Sequence, residues 1–143
     1  GMAQADRTGS VNSSKTGRML TGCGGAINIS QNARKVVFCG TFTAKGLEAE
    51  VIGGRLKIDR EGEIRKFVPY VDQITFSGKY ADSVKQPVMY ITERAVFELQ
   101  NGVMTLTEIA PGIDLERDIL QQMDFVPRIS ENLCLMEEDC IIK

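Results

Sequence analysis

Two residues that favour a tight turn, Asn101 and Gly102, stand between two stretches rich in apolar and β-branched residues. These stretches, residues 95–99 and residues 104–109, each have the length of an ordinary β-strand. An Asn-Gly pair accepts the left-handed backbone of a two-residue hairpin turn, which makes the flanking strands antiparallel neighbours. The sequence therefore predicts a hairpin over residues 95–109, and any fold of this chain must contain a sheet.

A second turn of the same kind is formed by Gly53 and Gly54. Apolar residues 51–52 precede it and residues 56–58 follow it, which predicts another antiparallel hairpin. Residues 64–68 continue the alternation, and we expect them to add a third strand to a small meander. The charge-rich run over residues 59–66 is interpreted as a solvated turn.

The remaining segments alternate short helices with strands. They are a helix over 26–33, strands over 35–38, 73–76 and 88–92, a polar helical or loop piece over 79–85, and a helix that begins after Asp114 as N-cap. This order predicts an α/β fold, a mixed sheet with few helices and antiparallel hairpins. The helices are too few for a complete doubly wound domain. We therefore predict a single partial domain over residues 1–143, with residues 1–18 as a loose N-terminal segment.

The reactive side chains exclude several kinds of enzyme. The chain has no His, so it has no Ser-His-Asp triad, no Cys-His pair and no HExxH zinc site. The four cysteines contain no CxxC spacing, which argues against a metal site and favours buried or partly buried reduced thiols. They are Cys23, Cys39, Cys134 and Cys140.

Charge and hydropathy restrict the partners. The net charge is only −2, but the first half is basic and the second half is acidic. The basic half suits a phosphate-bearing ligand or is merely a solvated surface, and the acidic half argues against a nucleic-acid partner. No apolar run approaches the about 18 residues needed to span a bilayer, so we expect no membrane partner and a cytoplasmic location.

Three short motifs are candidate sites. The cluster of Gly22, Gly24 and Gly25 just before a helix leaves backbone amides open to an anion, or is simply a tight turn. Lys45, in a glycine-flanked loop, is either a phosphate contact or an ordinary surface lysine. Glu93 at a strand end is either a nucleophile or base, or a partner of its neighbour Arg94 in an ion pair.

Taken in order, the motifs resemble one family, the CoA-transferases that include the acetate, propionate and succinyl-CoA:3-ketoacid enzymes. The resemblance covers residues 3–136, nearly the whole chain. The segments that carry it are 22–38 (GCGGAINISQNARKVVF), 9–12 (GSVN), 43–46 (TAKG), 91–97 (ITERAVF), 107–114 (TEIAPGID) and 123–125 (MDF). It implies that the mixed sheet is part of a CoA-transferase-like domain.

In this family a glutamate in an ExGxxG loop attacks the acyl-CoA carbonyl, and a glutamyl-CoA thioester carries CoA to a carboxylic acid by ping-pong exchange. The present sequence contains no ExGxxG, and the family's glutamate lies upstream of the matching region. The resemblance therefore implies the C-terminal portion of a catalytic domain, with no catalytic residue of its own and no activity alone. The nucleophile's role is not transferred to Glu93.

The resemblance also implies a CoA side of the site. Gly25 would present its amide to the thioester oxygen or CoA, Gly24 and Gly22 would shape the loop, and Lys45 would contact CoA. Asn12 would support the loop from a neighbouring turn. Family members commonly have Phe where this chain has Ala26, so packing beside the loop is expected to differ.

The implied partners are acyl-CoA and a carboxylate as substrates, with no cofactor, together with the upstream half of the enzyme or further copies of this chain. Short-chain fatty acid and ketone-body metabolism would be the setting. A sheet cut from its domain should expose apolar surface or a strand edge, so we expect self-association. The alternative is a non-catalytic CoA-binding or protein-interaction module.

Overall fold

The computed structural model describes residues 1–137. The strands are β1 (Gln4–Asp6), β2 (Val11–Asn12), β3 (Lys15–Thr16), β4 (Met19–Leu20), β5 (Val36–Cys39), β6 (Thr43–Ala44), β7 (Glu48–Ile52), β8 (Arg55–Arg60), β9 (Ile64–Arg65), β10 (Phe67–Val68), β11 (Val88–Ile91), β12 (Ala95–Gln100), β13 (Val103–Ile109) and β14 (Arg128–Leu135). The helices are α1 (Ala26–Asn32) and α2 (Gly78–Ser83), followed by a π-helical turn (Leu115–Ile119) and a 3₁₀ turn (Leu120–Gln122).

The largest sheet has five strands in the order β14-β13-β12-β11-β5. The two terminal strands pair in parallel with their neighbours, whereas the inner pairs are antiparallel. The hairpin of β12 and β13 turns at Asn101 and Gly102, whose φ angles are 51° and 71°. The predicted mixed α/β architecture and this hairpin are confirmed.

Aromatic side chains fill the core on one side of this sheet. Phe38 of β5 stacks on Tyr90 of β11 at 5.6 Å between ring centroids and meets Phe76 edge-on at 5.1 Å. A second cluster joins Phe42, Phe67 and Phe97, all fully buried. Because β5 alternates buried and exposed residues, only one of its faces belongs to this core.

The β7–β8 hairpin forms as predicted, with Gly53 and Gly54 both in the left-handed region. The predicted third strand of the meander is wrong. Strand β9 pairs instead with β6, and β10 pairs in parallel with β1. The physical reason is Phe67, which leaves the hairpin to pack 4.7 Å from Phe42 in the core.

The amino-terminal segment differs from the loose stretch expected over residues 1–18. Strands β1 and β2 belong to a three-stranded sheet with β10. Ala5, Val11 and Asn12 are fully buried, whereas Gly17 and Arg18 are exposed. Small and polar residues form this packed segment because backbone pairing and turn hydrogen bonds, rather than apolar bulk, hold it.

The carboxyl-terminal half follows the predicted order with three differences. Residues 73–76 form no strand and contribute only a single bridge between Phe76 and Val11. Asp114 caps a helical segment as expected, since its Oδ1 accepts the Arg117 N–H at 2.7 Å, but the segment winds as π and 3₁₀ turns rather than as an α-helix. Strand β14 was not predicted, because most of its side chains are exposed and its sequence has weak alternation.

The cysteines are less buried than predicted. Cys39 and Cys134 are exposed, and only Cys23 is partly buried; all three are free thiols. Cys39 is exposed because it lies on the outward-facing side of β5. Cys140 lies outside the described residues. Among residues 1–137, no helix has the length and apolar content to cross a membrane.

Candidate functional site

The glycine cluster forms an exposed turn that leads into α1. Gly22 and Gly24 have φ angles of 78° and 51°, which explains why residues without a Cβ stand there. The Ala26 N–H closes the turn on the Cys23 carbonyl oxygen at 3.0 Å. Gly25 is the N-cap residue of α1, with φ −85° and ψ 0°, and no side chain caps this end of the helix.

The Gly24-Gly25 pair is open to a ligand. Both residues are exposed, and a Cβ at Gly24 would meet nothing within 4 Å. Within residues 1–137, no acceptor takes the Gly25 N–H. Cys23 and Ala26, on either side of the pair, line a cavity of about 460 Å³ between α1 and β5.

Lys45 lies in a different turn from the glycine cluster. It occupies the turn between β6 and β7 at φ 63°, and its side chain is 67% exposed. Its Nζ lies 2.5 Å from a carboxylate oxygen of Glu63, and its carbonyl oxygen accepts the Glu63 N–H at 3.0 Å. Lys45 does not line the cavity beside α1, so the structure does not bring the glycine pair and this lysine into one cavity.

Asn12 is fully buried and holds the turn that follows β2. Its Nδ2 donates to the Lys15 carbonyl oxygen at 2.8 Å, and its Oδ1 accepts the N–H groups of Ser14 and Lys15. The Ser14 carbonyl oxygen in turn accepts the Thr21 N–H, directly before the glycine cluster. Asn12 is thus one hydrogen-bonded turn away from Gly22.

A buried ion cluster anchors the loop between β5 and β6, which leads to Lys45. The Arg94 side chain is fully buried, and its two terminal nitrogens hold both carboxylate oxygens of Glu61 at 2.7 and 3.0 Å. Its Nε donates to Glu93 at 2.7 Å, and the other Glu93 oxygen accepts the Phe42 N–H at 2.8 Å. Glu93 is therefore occupied as a structural partner.

The charges in this cluster stabilise one another. Burial alone would raise the pKa of Glu61, but hydrogen bonds from Arg94 and Thr43 outweigh it and hold that pKa below its ordinary value. Burial likewise opposes the charge of Arg94, yet Glu61 and Glu93 keep its pKa raised. The guanidinium also lies 4.9 Å from the centroid of the Phe42 ring.

Sequence reasoning missed two members of this region. Glu61 and Lys66 belong to the run interpreted as a solvated turn, but Lys66 is only 6% exposed and Glu61 pairs with the buried Arg94. The Lys66 Nζ donates to the Thr41 carbonyl oxygen at 2.8 Å, and burial lowers the pKa of this amine despite the nearby charge of Glu93. A run of alternating charges contains no local signal for such burial.

Potential metal ligands are scattered. In the part of the chain that the structure describes, no three His, Cys, Asp or Glu side chains lie close enough to hold a metal ion.

Comparison with known proteins shows which enzymes this chain is similar to. No protein-family model matches the chain. Its sequence is 54% identical to caffeate CoA-transferase of Acetobacterium woodii, over 96% of this chain and 27% of that protein. It is 47% identical to acetate CoA-transferase YdiF of Escherichia coli K12, over 98% of this chain and 26% of that protein. The chain is homologous to one segment of the CoA-transferases.

Solved structures agree with this relationship. The apoenzyme of the acyl-CoA transferase YdiF from E. coli O157:H7 superposes on 99% of this chain, which covers 27% of that protein, with a TM-score of 0.95 and 47% identity. Glutaconate CoA-transferase from Acidaminococcus fermentans matches with a TM-score of 0.68 at 19% identity, a likeness of fold. The segment spans about a quarter of the length of the CoA-transferases named above. The family resemblance inferred from the motifs is confirmed.

Proposed function

We propose that this chain supplies the CoA-binding side of an acyl-CoA:carboxylate CoA-transferase, and that a carboxylate from outside residues 1–143 is the nucleophile. One observation carries the proposal: the Gly25 amide is exposed, takes no acceptor within residues 1–137 and lies beside a cavity of about 460 Å³. The names of the homologous proteins supply the reaction class.

The proposed transfer reaction needs a hydrogen-bond donor at the oxygen atom on which negative charge develops. A glutamate carboxylate that attacks an acyl-CoA carbonyl places charge on the carbonyl oxygen before the CoA thiolate leaves. A fixed backbone N–H aimed at that oxygen stabilises the charge without moving. The Gly25 amide is proposed for this role, with Gly22 and Gly24 supplying the left-handed turn and Asn12 holding the turn before it. The YdiF enzyme of E. coli O157:H7 has itself been solved as a thioester complex with CoA.

Lys45 is proposed to contact a phosphate of CoA. Its side chain is exposed, and its present partner Glu63 is equally exposed. Such a surface ion pair contributes little to stability, so the lysine can exchange the carboxylate for a phosphate at small cost. The acyl groups are proposed to be short-chain, as in ketone-body metabolism, with the cytoplasm as the expected location.

Calorimetry with CoA tests the Lys45 role, with Lys85 as a matched control. Both lysines are exposed, have a left-handed backbone (φ 63° and 57°) and pair with one carboxylate. We expect Lys45→Ala to weaken CoA binding about tenfold, which corresponds to about 1.4 kcal/mol, and Lys85→Ala to leave it unchanged. Equal effects of the two substitutions would contradict the assignment.

Gly25→Ala tests the amide directly. The φ of −85° suits alanine, and the added methyl would meet only the flexible end of Ile29 at 3.4 Å. We expect the midpoint of thermal unfolding to stay within about 2 °C while the affinity for an acyl-CoA falls, because the methyl adds bulk next to the exposed amide. An unchanged affinity would remove Gly25 from the site.

Strand β5 is an edge strand among the described residues, and this edge and the exposed apolar residues beside it favour a second candidate, a non-catalytic interaction module. The two candidates differ in ligand binding and in turnover. Under the first, the pure chain binds CoA but exchanges no acyl group between acetate and an acyl-CoA, and exchange appears when the glutamate-bearing part is added. If neither the wild type nor Lys45→Ala releases heat with CoA, only the interaction module remains as a candidate. Acyl exchange by the pure chain would overturn the external nucleophile.

A further inference from the structure

The peptide group between Thr41 and Phe42 is held at both ends by charged side chains. The Thr41 carbonyl oxygen accepts a hydrogen bond from the Lys66 Nζ at 2.8 Å. The Phe42 N–H donates to Oε2 of Glu93, also at 2.8 Å. The peptide is trans, so its carbonyl and N–H groups point in opposite directions. A cation therefore lies at the oxygen end of this one peptide, and an anion lies at its nitrogen end.

The two charges match the dipole of the peptide that they hold. A carbonyl oxygen carries partial negative charge and an amide hydrogen carries partial positive charge, so an ammonium and a carboxylate bind these ends strongly. Rotation of the peptide would break both hydrogen bonds and turn its carbonyl oxygen towards Glu93. Lys66 and Glu93 thus favour one conformation of the loop between β5 and β6.

The surrounding fold fixes both charged side chains in turn. Lys66 is only 6% exposed, and its own carbonyl oxygen accepts the Ala5 N–H at 2.8 Å. A Cβ built on Gly40 would lie 2.9 Å from the Lys66 Nζ, so the amine packs directly against the backbone of the loop. The other carboxylate oxygen of Glu93 accepts the Arg94 Nε–H at 2.7 Å.

Stability does not account for the charge on Lys66. Burial lowers the pKa of this amine, and the charge of Glu93 offsets the change only in part. Arg94 and Glu61 continue the chain of ion pairs beyond Glu93, and residues 40–42 have no ionisable side chain. Because folding lowers the proton affinity of the amine, keeping it charged costs folding free energy. Such a charge is better explained by the conformation that it selects.

The held loop leads directly to the proposed CoA contact. Thr43 pairs with Arg65 in the two-residue strand β6, and Lys45 stands in the turn that follows this strand. The loop also lies at the carboxyl end of β5, beside the carboxyl end of its parallel neighbour β11. Ligands of open α/β sheets bind outside the carboxyl ends of parallel strands.

We propose that Lys66 and Glu93 are positioning residues: they hold this peptide between a cation and an anion, and the segment that carries Lys45 thereby keeps the conformation that binds CoA. Neither of the two side chains needs to touch CoA. The inference rests on the proposed contact between Lys45 and CoA. The competing explanation is that Lys66 only completes the packing of a loop, in which case its charge has no effect on CoA binding.

Lys66→Met tests the charge, because methionine is also unbranched and suits a buried site but cannot donate a hydrogen bond. Lys85→Met, at an exposed lysine, is the control. Calorimetry with CoA at neutral pH should show about fivefold weaker binding for Lys66→Met and an unchanged affinity for Lys85→Met. The midpoint of thermal unfolding should not fall, since the substitution removes a buried charge. A fall in this midpoint with an unchanged affinity would overturn the proposal and assign Lys66 to packing.

A double-mutant cycle shows whether Lys66 acts through Lys45. If it does, Lys66→Met should change the affinity by less than about 1.5-fold in a Lys45→Ala background. The same loss in both backgrounds would refute the positioning role alone. A wild type that binds no CoA would refute the proposed function, and the positioning role with it.

An NMR titration of the unaltered protein needs neither a variant nor CoA. The carbon shift of the Thr41 carbonyl and the nitrogen shift of the Phe42 amide should follow the titration of the Lys66 side chain, with one midpoint below the ordinary lysine pKa of 10.5. Glu93→Gln should lower this midpoint further, because the charge of Glu93 raises the pKa of Lys66. Shifts of Thr41 and Phe42 that do not change as Lys66 loses its proton would overturn the proposal.

Discussion

The guanidinium of Arg94 holds both carboxylate oxygens of Glu61, so a fully buried residue directly before β12 is tied to the loop that follows β8. Removing the carboxylate leaves a buried cation whose one remaining ion-pair partner among residues 1–137 is Glu93. We expect Glu61→Ala to lower the free energy of unfolding by about 2–3 kcal/mol, measured by urea denaturation. Glu63→Ala, in the same loop but in an exposed pair with Lys45, should cost less than about 1 kcal/mol. Equal losses of stability for Glu61→Ala and Glu63→Ala would contradict the prediction that Glu61 stabilises the buried charge of Arg94.

The ion pair of Glu61 with Arg94 predicts that the free energy of unfolding depends on pH. The pKa of Glu61 is below its ordinary value of 4.5, because the hydrogen bonds from Arg94 and Thr43 outweigh the effect of burial. The unfolded chain therefore takes up this proton first as the pH falls, and the stabilisation present above about pH 4.5 is lost as the pH drops through the lower folded-state pKa. Urea midpoints between pH 6 and pH 3 should fall less steeply for Glu61→Gln than for the wild type. Parallel pH curves would contradict the assignment.

The close contacts around Gly78 predict that a substitution there is destabilising. A Cβ on Gly78 would lie 2.0 Å from the Thr8 carbonyl oxygen and 2.6 Å from the carbonyl carbon of Gly9. These are backbone atoms and cannot yield, so Gly78→Ala should destabilise by more than about 2 kcal/mol in thermal or urea unfolding. Gly17 has a left-handed φ but open space around it, and Gly17→Ala should cost about 1 kcal/mol. If Gly78→Ala lowers the free energy of unfolding only slightly, the amino-terminal segment is loosely packed.

The exposed apolar residues predict self-association of the 143-residue chain. Ile29 and Val37 are exposed beside the open edge of β5, and together they form a surface that water solvates poorly. Light scattering at rising concentration should show species larger than the monomer. Val37→Lys should reduce them, because a charged edge resists pairing. A monodisperse monomer at high concentration would contradict this prediction.

The sequence specified the local elements well. The two hairpins were predictable because Asn101-Gly102 and Gly53-Gly54 need a left-handed backbone, which is a property of those residues themselves. The mixed sheet followed from the order of the elements. Strand β14 and the pairing of β10 with β1 were not predictable, since they depend on partners far away in sequence.

The candidate site was predictable in part. The glycine turn is where the motif indicated, and it is exposed as a binding turn must be. Its roles in CoA binding remain predictions, as does that of Lys45. The ion pair of Glu93 with Arg94 was one of the two interpretations of that motif, and the structure shows it. The roles of Glu61 and Lys66 were missed, because charged residues in a row look solvated until the rest of the chain packs against them.

The parallel pairing of Ala5 with Phe67 has a consequence for the order in which the polypeptide folds. The ribosome makes β1 and its antiparallel partner β2 early, yet the parallel partner β10 is made only after the whole of the β7–β8 hairpin. Closing so long a loop carries an entropic cost before any contact repays it, which slows the step. Newly made β1 can pair with β2, but its other edge must remain unpaired until β10 is made, and the three-stranded sheet is therefore expected to be completed late.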